Sequence, residues 1–425
     1  MKNEFLNELQ WRGLVHQCTD IEQLAERLNL GPMTLYCGFD PTALSLHVGN
    51  LIPLISLARF QRAGHRVLAL VGGATGLIGD PSGKSAERVL QSESEVQRRA
   101  EAIQGQLSRV IDVADAATGA VVNNLAWTQP MGVLEFLRDV GKHFSVNAMM
   151  HRDSIRSRLD REGEGISFTE FSYMLLQAFD FLKLAELENC RLQIGGSDQW
   201  GNMCSGTDLI RRARGEEAFA LTLPLLTNSN GAKFGKSEKG AIWLDAALTS
   251  PWEFYQFWLN TPDEDVIRLL KLFTFVSREE IEMLEITLAT EAFQRVSQKR
   301  LAAEMTEMIH GEQALAEVLN AVEALFGNGS VDRLGSSLLE MLMLAVPSIK
   351  LTSGETRGLN SLLVETTLVP SMSKANEIIL QGGVSVNNVK KTEAQAVPLD
   401  SDWLHGRFLL IKKGKKNFAL VERAS

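Results

Sequence analysis

The residues best suited by type and spacing to handle phosphate are His47-Val48-Gly49-Asn50 and, nearly two hundred residues later, Lys233-Phe234-Gly235-Lys236-Ser237. The first group follows Tyr36-Cys37-Gly38-Phe39-Asp40-Pro41-Thr42, a short apolar run that turns at Pro41 and Thr42. It stands where a helix begins, and the exposed amides and positive dipole end there attract phosphate. Gly49 has no side chain, so a flat base can lie against the backbone. Taken alone, the group reads equally as a structural turn with a surface histidine. The second group sets two lysines three apart on a glycine-containing loop, able to follow phosphate charge from ground state to transition state. Alone it would be a solvated basic turn. Together they describe a site where the phosphates of a nucleoside triphosphate are held and then cleaved.

Three more stretches carry polar groups in an apolar setting. Ser167-Phe168-Thr169-Glu170 opens a helix as a capping box. Within that helix Tyr173, Gln177 and Asp180 fall at i, i+4 and i+7, on one face. A buried carboxylate and amide need partners, either a polar substrate or an internal network. Gly72-Gly73-Ala74-Thr75-Gly76-Leu77-Ile78-Gly79-Asp80-Pro81-Ser82-Gly83-Lys84 follows a strand-like run and offers the Asp80 carboxylate to an ammonium. Its spacing fits neither the P-loop nor the dinucleotide fingerprint. Gly195-Gly196-Ser197-Asp198-Gln199-Trp200, after another such run, could meet ribose hydroxyls.

The elements that must position these groups alternate. Strand-like runs at 34–37, 66–72, 120–123, 192–195 and 221–225 are separated by helical periodicity, as at 51–62 and 133–144. Such alternation implies a parallel sheet covered on both faces, with ligands at the C-terminal ends of its strands. After 245 helices follow, with start signals at Ser250-Pro251-Trp252-Glu253, Thr261-Pro262-Asp263-Glu264 and Ser277-Arg278-Glu279-Glu280. The final part combines a helix-like stretch at 373–381, a strand and turn near Val384, and a hairpin from 408 to 421.

The chain has 425 residues, enough for two to four domains, and a formal net charge of -9. The last segment runs against that sign: from 370 to 425, nine Lys or Arg face five Asp or Glu, a pointer to a polyanion-facing domain. Cys18, Cys37, Cys190 and Cys204 form no C-x-x-C pair, so a zinc ribbon or redox motif is not expected and a reducing compartment is. No apolar run is long enough to span a bilayer, and no signal core opens the chain, so no membrane association is expected.

With all five stretches in order, the chain resembles the bacterial-type tyrosyl-tRNA synthetases over nearly its whole length, most strongly from 34 to 262. His47–Asn50 resembles their "HIGH" signature and the Lys233 loop their "KMSKS" loop; LYCGFDPTA, VGGATGLIGDPSGK, GISFTEFSYMLLQAFDFL and LQIGGSDQWGN are more specific still. The resemblance implies an α/β protein. A Rossmann-like parallel-sheet catalytic domain with a dimer-interface insertion would occupy 1–230, and the loop and its connection 231–247. An α-helical anticodon-binding domain would follow at 248–326, a linker at 327–358, and a small α+β S4-like RNA-binding domain at 359–425. It implies activation of L-tyrosine by ATP with Mg²⁺ and transfer to tRNA(Tyr), with no protein-ligated metal and a cytoplasmic setting, or an organelle matrix after loss of a transit peptide.

The same resemblance supplies roles. Tyr36 and Asp180 would hold the substrate phenol, and Asp80, Tyr173 and Gln177 its ammonium. Asn124 and Thr75 would line that pocket, with Gln199 by the carboxylate. Phenylalanine would leave the polar groups of Tyr36 and Asp180 unpaired. Cys37, Gly38, Asp40, Gly49, Gly196 and Asp198 would meet the nucleotide, and Asn50 a ribose contact beside its adenine. Thr42, His47, Lys84, Arg88, Lys233 and Lys236 would surround the triphosphate. In the S4-like part Lys374, Lys390, Lys391, Arg407, Lys412, Lys413, Lys415 and Lys416 would neutralise tRNA phosphates, unless they form a solvated basic surface. A homodimer is implied, joined around residues 136–150 and Phe168; on residues alone that segment is simply apolar.

Several positions depart from the family pattern. Asn50 stands where the signature ends in histidine, and Leu44 where aspartate is common. Leu125-Ala126-Trp127 replaces the usual tyrosine and aspartate after the asparagines, Phe179 replaces a tyrosine, and Asn376-Glu377 stand at usually basic positions. Two other readings remain open: an RNA-binding protein on a synthetase scaffold, and a class I enzyme for tryptophan or another amino acid.

Overall fold

A computed structural model describes residues 3–80, 91–151, 155–156, 166–226, 234–237, 240–326, 331, 334–352, 354–414 and 417–424. The chain divides into two compact units, Met1–Asp245 with Thr261–Leu301, and Ala246–Asn260 with Ala302–Ser425.

The first unit is built on a sheet of β1 (Gln17–Cys18), β2 (Thr34–Phe39), β3 (Arg66–Val71), β4 (Gly119–Asn123), β5 (Cys190–Gly196) and β6 (Phe219–Leu223). The spatial order is β1-β6-β5-β2-β3-β4. Five strands run parallel and only the edge strand β1 is antiparallel. All five parallel strands match the expected runs to within a few residues; β1 was not anticipated, because two residues carry no period. Leu35, Tyr36, Cys37 and Phe39 on β2 are all buried, as befits a central strand covered on both faces.

The chain leaves β2 toward β3 and β4, then crosses to β5 and β6 on the other side, so the switch point lies between β2 and β5. There the strands part. β2 stays paired with β3 as far as Phe39↔Val71, but with β5 only as far as Tyr36↔Gln193. Beyond Tyr36 the two strand ends diverge and leave a crevice of the kind that takes ligands in such sheets.

The helix Leu51–Arg62 falls where periodicity placed it, and the long helix Phe168–Glu188 starts at its expected cap, where Ser167 Oγ accepts from the Glu170 amide. The single helix expected over 133–144 is instead Val133–Asp139 followed by a 3-10 turn at Gly141–His143. A further departure concerns Asp263–Phe273 and Arg278–Glu291, expected in a separate helical domain but grouped with the first unit. The buried Arg12 guanidinium explains this: it donates to the carbonyls of Lys271, Thr274 and Val276 at 3.1, 3.1 and 2.7 Å, and Arg59 also bonds Thr274. Cations on carbonyls at a helix C-terminus satisfy acceptors the helix itself cannot. Pro262, rather than Thr261, is the N-cap of the first of these helices, without a side-chain bond, whereas Ser277 caps the second as expected.

In the second unit the capping box at Ser250 forms with Pro251 at its first turn. The stretch 327–358, expected as a linker, carries the helix Ser336–Ala345 and a strand at Ser348–Leu351. After the short ribbon of β7 (Lys236–Ser237) and β8 (Gly240–Ala241) in the first unit, that strand is β9. It joins β10 (Val384–Val386), β11 (Val389–Lys391), β12 (Phe408–Lys413) and β13 (Asn417–Arg423) in the order β11-β10-β12-β13-β9. β9 pairs in parallel with β13, a long-range pairing that the local sequence does not announce. The expected hairpin is β12 and β13. Among the described residues no helix is long and apolar enough to cross a membrane.

Candidate active site

The crevice at the divergence of β2 and β5 opens into a cavity of about 360 Å³. It is lined by Tyr36, Cys37, Gly38, Asp40, Thr42, His47, Asn50, Thr75, Asp80, Tyr173, Gln177, Asp180, Gly196 and Gln199, all singled out from sequence. Phe39, Pro53, Leu70, Gln193, Ile194 and Gly195 complete the wall. Gly49, Asn124 and Asp198 stand just behind it, each beside a lining residue: Gly49 donates to His47, Asn124 to Asp180, and Asp198 accepts from Gln199. Lys84, Arg88 and Lys233 lie outside the described residues, as does the side chain of Lys236.

At the deep end Tyr36 and Asp180 face one cavity. The Tyr36 ring packs on Phe181 with centroids 5.2 Å apart, and its hydroxyl is buried with no protein partner among the described residues. Burial, then the nearby Asp180 carboxylate, pushes the Tyr36 phenol well above its ordinary range, so the hydroxyl stays neutral. Asp180 is 2 % exposed and spans two donors: Asn124 Nδ2 reaches Oδ2 at 2.9 Å and Trp127 Nε1 reaches Oδ1 at 2.8 Å. Burial raises its pKa to about 7, against the lowering effect of those two donors. Trp127, noted from sequence only as a departure, thus holds the carboxylate. Phe179 turns the other way, into the core, edge-on to Phe136 at 5.8 Å, so its substitution does not reach Asp180.

Nearer the mouth, carboxylates and amides form a network. Asp40 accepts from Tyr173 Oη at 3.0 Å and from Thr75 Oγ1 at 2.8 Å. A Cβ on Gly72 would fall 2.1 Å from Asp40 Oδ1, so the absence of a side chain there makes room for this carboxylate. Gln199 Nε2 donates to Asp80 Oδ2 at 2.6 Å. Asn202, which sequence reasoning passed over, links Gln199 to Gln177. Gln193 was missed as well; it is buried on β5 opposite Tyr36, and its Oε1 has no protein partner among the described residues. The alternation of β5 placed it on the same face as Gly195, and that was the signal available.

The two signatures meet. Val48 N donates to Ile242 O, Leu244 N to Leu46 O, and Ile242 N to Gly235 O. A Cβ on Gly235 would sit 2.4 Å from Val48 Cγ2, so the loop presses its glycine onto the first signature. His47 Nδ1 accepts from the Gly49 amide at 3.0 Å, which leaves Nε2 as the protonated ring nitrogen, a donor suited to phosphate. Asn50 Oδ1 accepts from the His47 amide at 3.0 Å and closes the turn, a task that asparagine performs in place of histidine. Cys37 is held as a neutral thiol, pushed up to about 12 by burial. Leu44 is exposed and nothing in the structure explains it.

In the second unit the cations expected to meet RNA fare unequally. Lys390 is exposed, without an ion pair among the described residues. Lys374 pairs with Glu377, Lys391 with Asp402, and Arg407 with Glu422 and Glu340. Lys413 donates to the Leu368 carbonyl. Lys412 is buried, its ammonium 3.1 Å from the Ala324 carbonyl, and burial lowers its pKa; it is a structural tie rather than a surface charge. Lys415 and Lys416 lie outside the described residues.

Comparison with known proteins bears on the whole chain. Residues 28–327 match the family model described as tRNA synthetases class I (W and Y), and residues 339–421 match that of the tyrosine–tRNA ligase SYY-like C-terminal domain. A tyrosine–tRNA ligase of Bacillus caldotenax is 52% identical over 99% of this chain and 100% of its own length. One of Mycobacterium leprae (strain TN) is 51% identical over the full length of both. The crystal structure of a C-terminally truncated Aspergillus nidulans mitochondrial tyrosyl-tRNA synthetase is 33% identical and superposes with a TM-score of 0.69, covering 76% of this chain and 94% of that one.

Proposed function

The chain belongs to the class I tyrosine–tRNA ligase family, and we propose that it joins L-tyrosine to ATP, forming tyrosyl-AMP and pyrophosphate, then passes the tyrosyl group to a terminal ribose hydroxyl of tRNA(Tyr). The observation that carries this reading is the Tyr36 hydroxyl, without a protein partner among the described residues, lining the same cavity as the buried Asp180 carboxylate. A phenol placed there donates to Asp180 and accepts from Tyr36. An apolar ring of the same size leaves the Tyr36 hydroxyl unsatisfied, at a cost of about 1–3 kcal/mol, and gives the Asp180 carboxylate no donor beyond Asn124 and Trp127.

With the ring so placed, the amino acid's polar end lies among Asp80, Tyr173, Gln177 and Gln199. Its carboxylate, already ionised, attacks the α-phosphorus of ATP; the bond from that phosphorus to the bridging oxygen breaks, and pyrophosphate leaves with its Mg²⁺. No general base is required, so catalysis consists of alignment and charge stabilisation. His47 Nε2–H and Thr42 donate to the phosphates, joined by Lys84, Arg88, Lys233 and Lys236. The tRNA ribose hydroxyl oxygen then bonds to the carbonyl carbon of tyrosyl-AMP, the bond from that carbon to the phosphate oxygen breaks, and AMP departs with the hydroxyl proton on its phosphate.

The C-terminal unit serves tRNA, with Lys390 the exposed cation that best fits a phosphate contact. The protein works as a homodimer in the cytoplasm, Mg²⁺ entering with ATP. Pyrophosphate exchange into ATP tests the central claim: exchange should depend on L-tyrosine, and L-phenylalanine or L-tryptophan at equal concentration should not replace it. Faster exchange with tryptophan, or none with tyrosine, overturns the reading.

A further inference from the structure

The amides at the mouth of the cavity face a problem that the sequence does not reveal. A glutamine amide has two faces of opposite hydrogen-bonding character, and a 180° flip about its last bond exchanges them at almost no steric cost. Gln177 and Gln199 both line the cavity, from different elements: Gln177 from the long helix Phe168–Glu188, Gln199 from the 3-10 turn after β5. Unless something fixes them, each presents either a carbonyl or an NH₂ to the ligand.

Asn202 supplies that restraint. It lies in the first turn of the helix Trp200–Arg214 and is 6 % exposed. Its Nδ2 donates to Gln177 Oε1 at 3.0 Å and to Gln199 Oε1 at 3.2 Å. One NH₂ group thus takes a carbonyl from each glutamine, and the flipped form of either would set donor against donor. With Oε1 so engaged, Gln199 turns its NH₂ to Asp80, 2.6 Å away. The chain of bonds runs from Gln177 through Asn202 and Gln199 to the Asp80 carboxylate.

We propose that Asn202 is a positioning residue for amino-acid binding: it sets the flip state of both cavity-lining glutamines, so that Gln199 presents its NH₂ to Asp80 and to the substrate's carboxylate, which takes the hydrogen that Nε2 otherwise donates to Asp198 at 3.4 Å, and Gln177 keeps an oxygen lone pair for the ammonium. This rests on the function proposed above. Asn202 has no part in the chemistry itself and does not line the cavity. Its influence is confined to the amino-acid end, because the nucleotide-facing His47 and Thr42 are held by other bonds, from Gly49 and to Asp40 respectively.

Asn202→Ala and Asn202→Ser leave similar spaces and differ by one hydroxyl donor, which isolates the hydrogen bond from packing. In pyrophosphate exchange, the alanine variant should raise the KM for tyrosine about tenfold, the energy of one to two hydrogen bonds. The serine variant should recover part of that loss, and the KM for ATP should stay within about twofold in both. Equal tyrosine KM values for alanine and serine, or an ATP KM that climbs with the tyrosine KM, overturns the proposal. If the alanine variant does not fold, a double-mutant cycle of Asn202→Ser with Gln199→Ala decides: coupling supports the proposal and additivity overturns it. Absence of exchange by the wild-type protein would overturn this inference and the function together. Normal wild-type exchange with unmoved variants would overturn this inference alone.

Discussion

Asp180 shows how one residue's environment becomes a measurable property. Its carboxyl is buried with Asp40 nearby, and both effects oppose ionisation, while Asn124 and Trp127 favour it; the balance is a pKa near 7. The folded pKa is raised, so between about 4 and about 7 the native state holds a proton that the unfolded chain has lost. This group therefore makes the empty protein less stable as pH rises through that window. Asp180→Asn should flatten that part of the pH dependence of the thermal midpoint. Binding has the opposite sign, because the phenol needs the ionised acceptor. Tyrosine affinity, measured by calorimetry without ATP, should weaken as pH falls through about 7. Trp127→Phe removes a donor that stabilises the charge and should move that inflection to higher pH. A flat affinity profile across the window would mean that Asp180 does not receive the phenol. The sequence showed Asp180 as a polar residue on an apolar helix, and Tyr36 within a strand. It could not show Trp127 donating to Asp180, because that bond joins residues 53 positions apart and depends on how a short helix after β4 is seated.

At the scale of elements, the parallel strands and their glycine-rich ends were legible because each is a short apolar run closed by a turn. What the sequence hid was pairing between distant segments. β9 looked like linker because Ser348–Leu351 has no partner nearby; its partner is β13, some seventy residues on. The same blindness placed Lys412 among the RNA-facing cations. On β12 its side chain turns inward to the Ala324 carbonyl, where Asn388 Nδ2 also donates at 3.0 Å, and the two tie the helix Glu312–Phe326 to the sheet. Phe326 continues the tie, stacked on Trp252 at 6.4 Å and edge-on to Phe418 at 5.6 Å. A cation that touches no phosphate releases no counterion. Lys412→Met should therefore lower the thermal midpoint but leave the slope of tRNA affinity against salt unchanged, whereas Lys390→Ala should reduce that slope by about one. A slope change in Lys412→Met would place its ammonium on RNA after all.

At the scale of the molecule, the insertion between β4 and β5 presents an apolar display outside the cavity. It packs inward through Phe136, Phe144 and Met149 against Met174 and Leu175 of the long helix. That leaves Val133, Leu134, Leu137, Val146 and Met150 exposed, together with Phe168 at the head of the same long helix. Leu134 is 83 % and Phe168 78 % exposed, an apolar display that a monomer in water rarely maintains. In the dimer proposed above, a second copy of the chain would cover it through a self-complementary contact. Leu137, Val146, Met150 and Phe168 fall in the segment expected from sequence, Val133 and Leu134 lie just before it, and Phe136 packs on Phe179 instead. Sedimentation should give twice the chain mass for the wild type. Leu134→Glu with Phe168→Glu should give a folded monomer. Phe168 opens the helix that carries Tyr173, Gln177 and Asp180, so loss of the partner should loosen the head of that helix and raise the tyrosine KM more than the ATP KM. A wild-type protein that sediments as a monomer at every concentration tested would remove the partner from this account and leave the patch to some other surface.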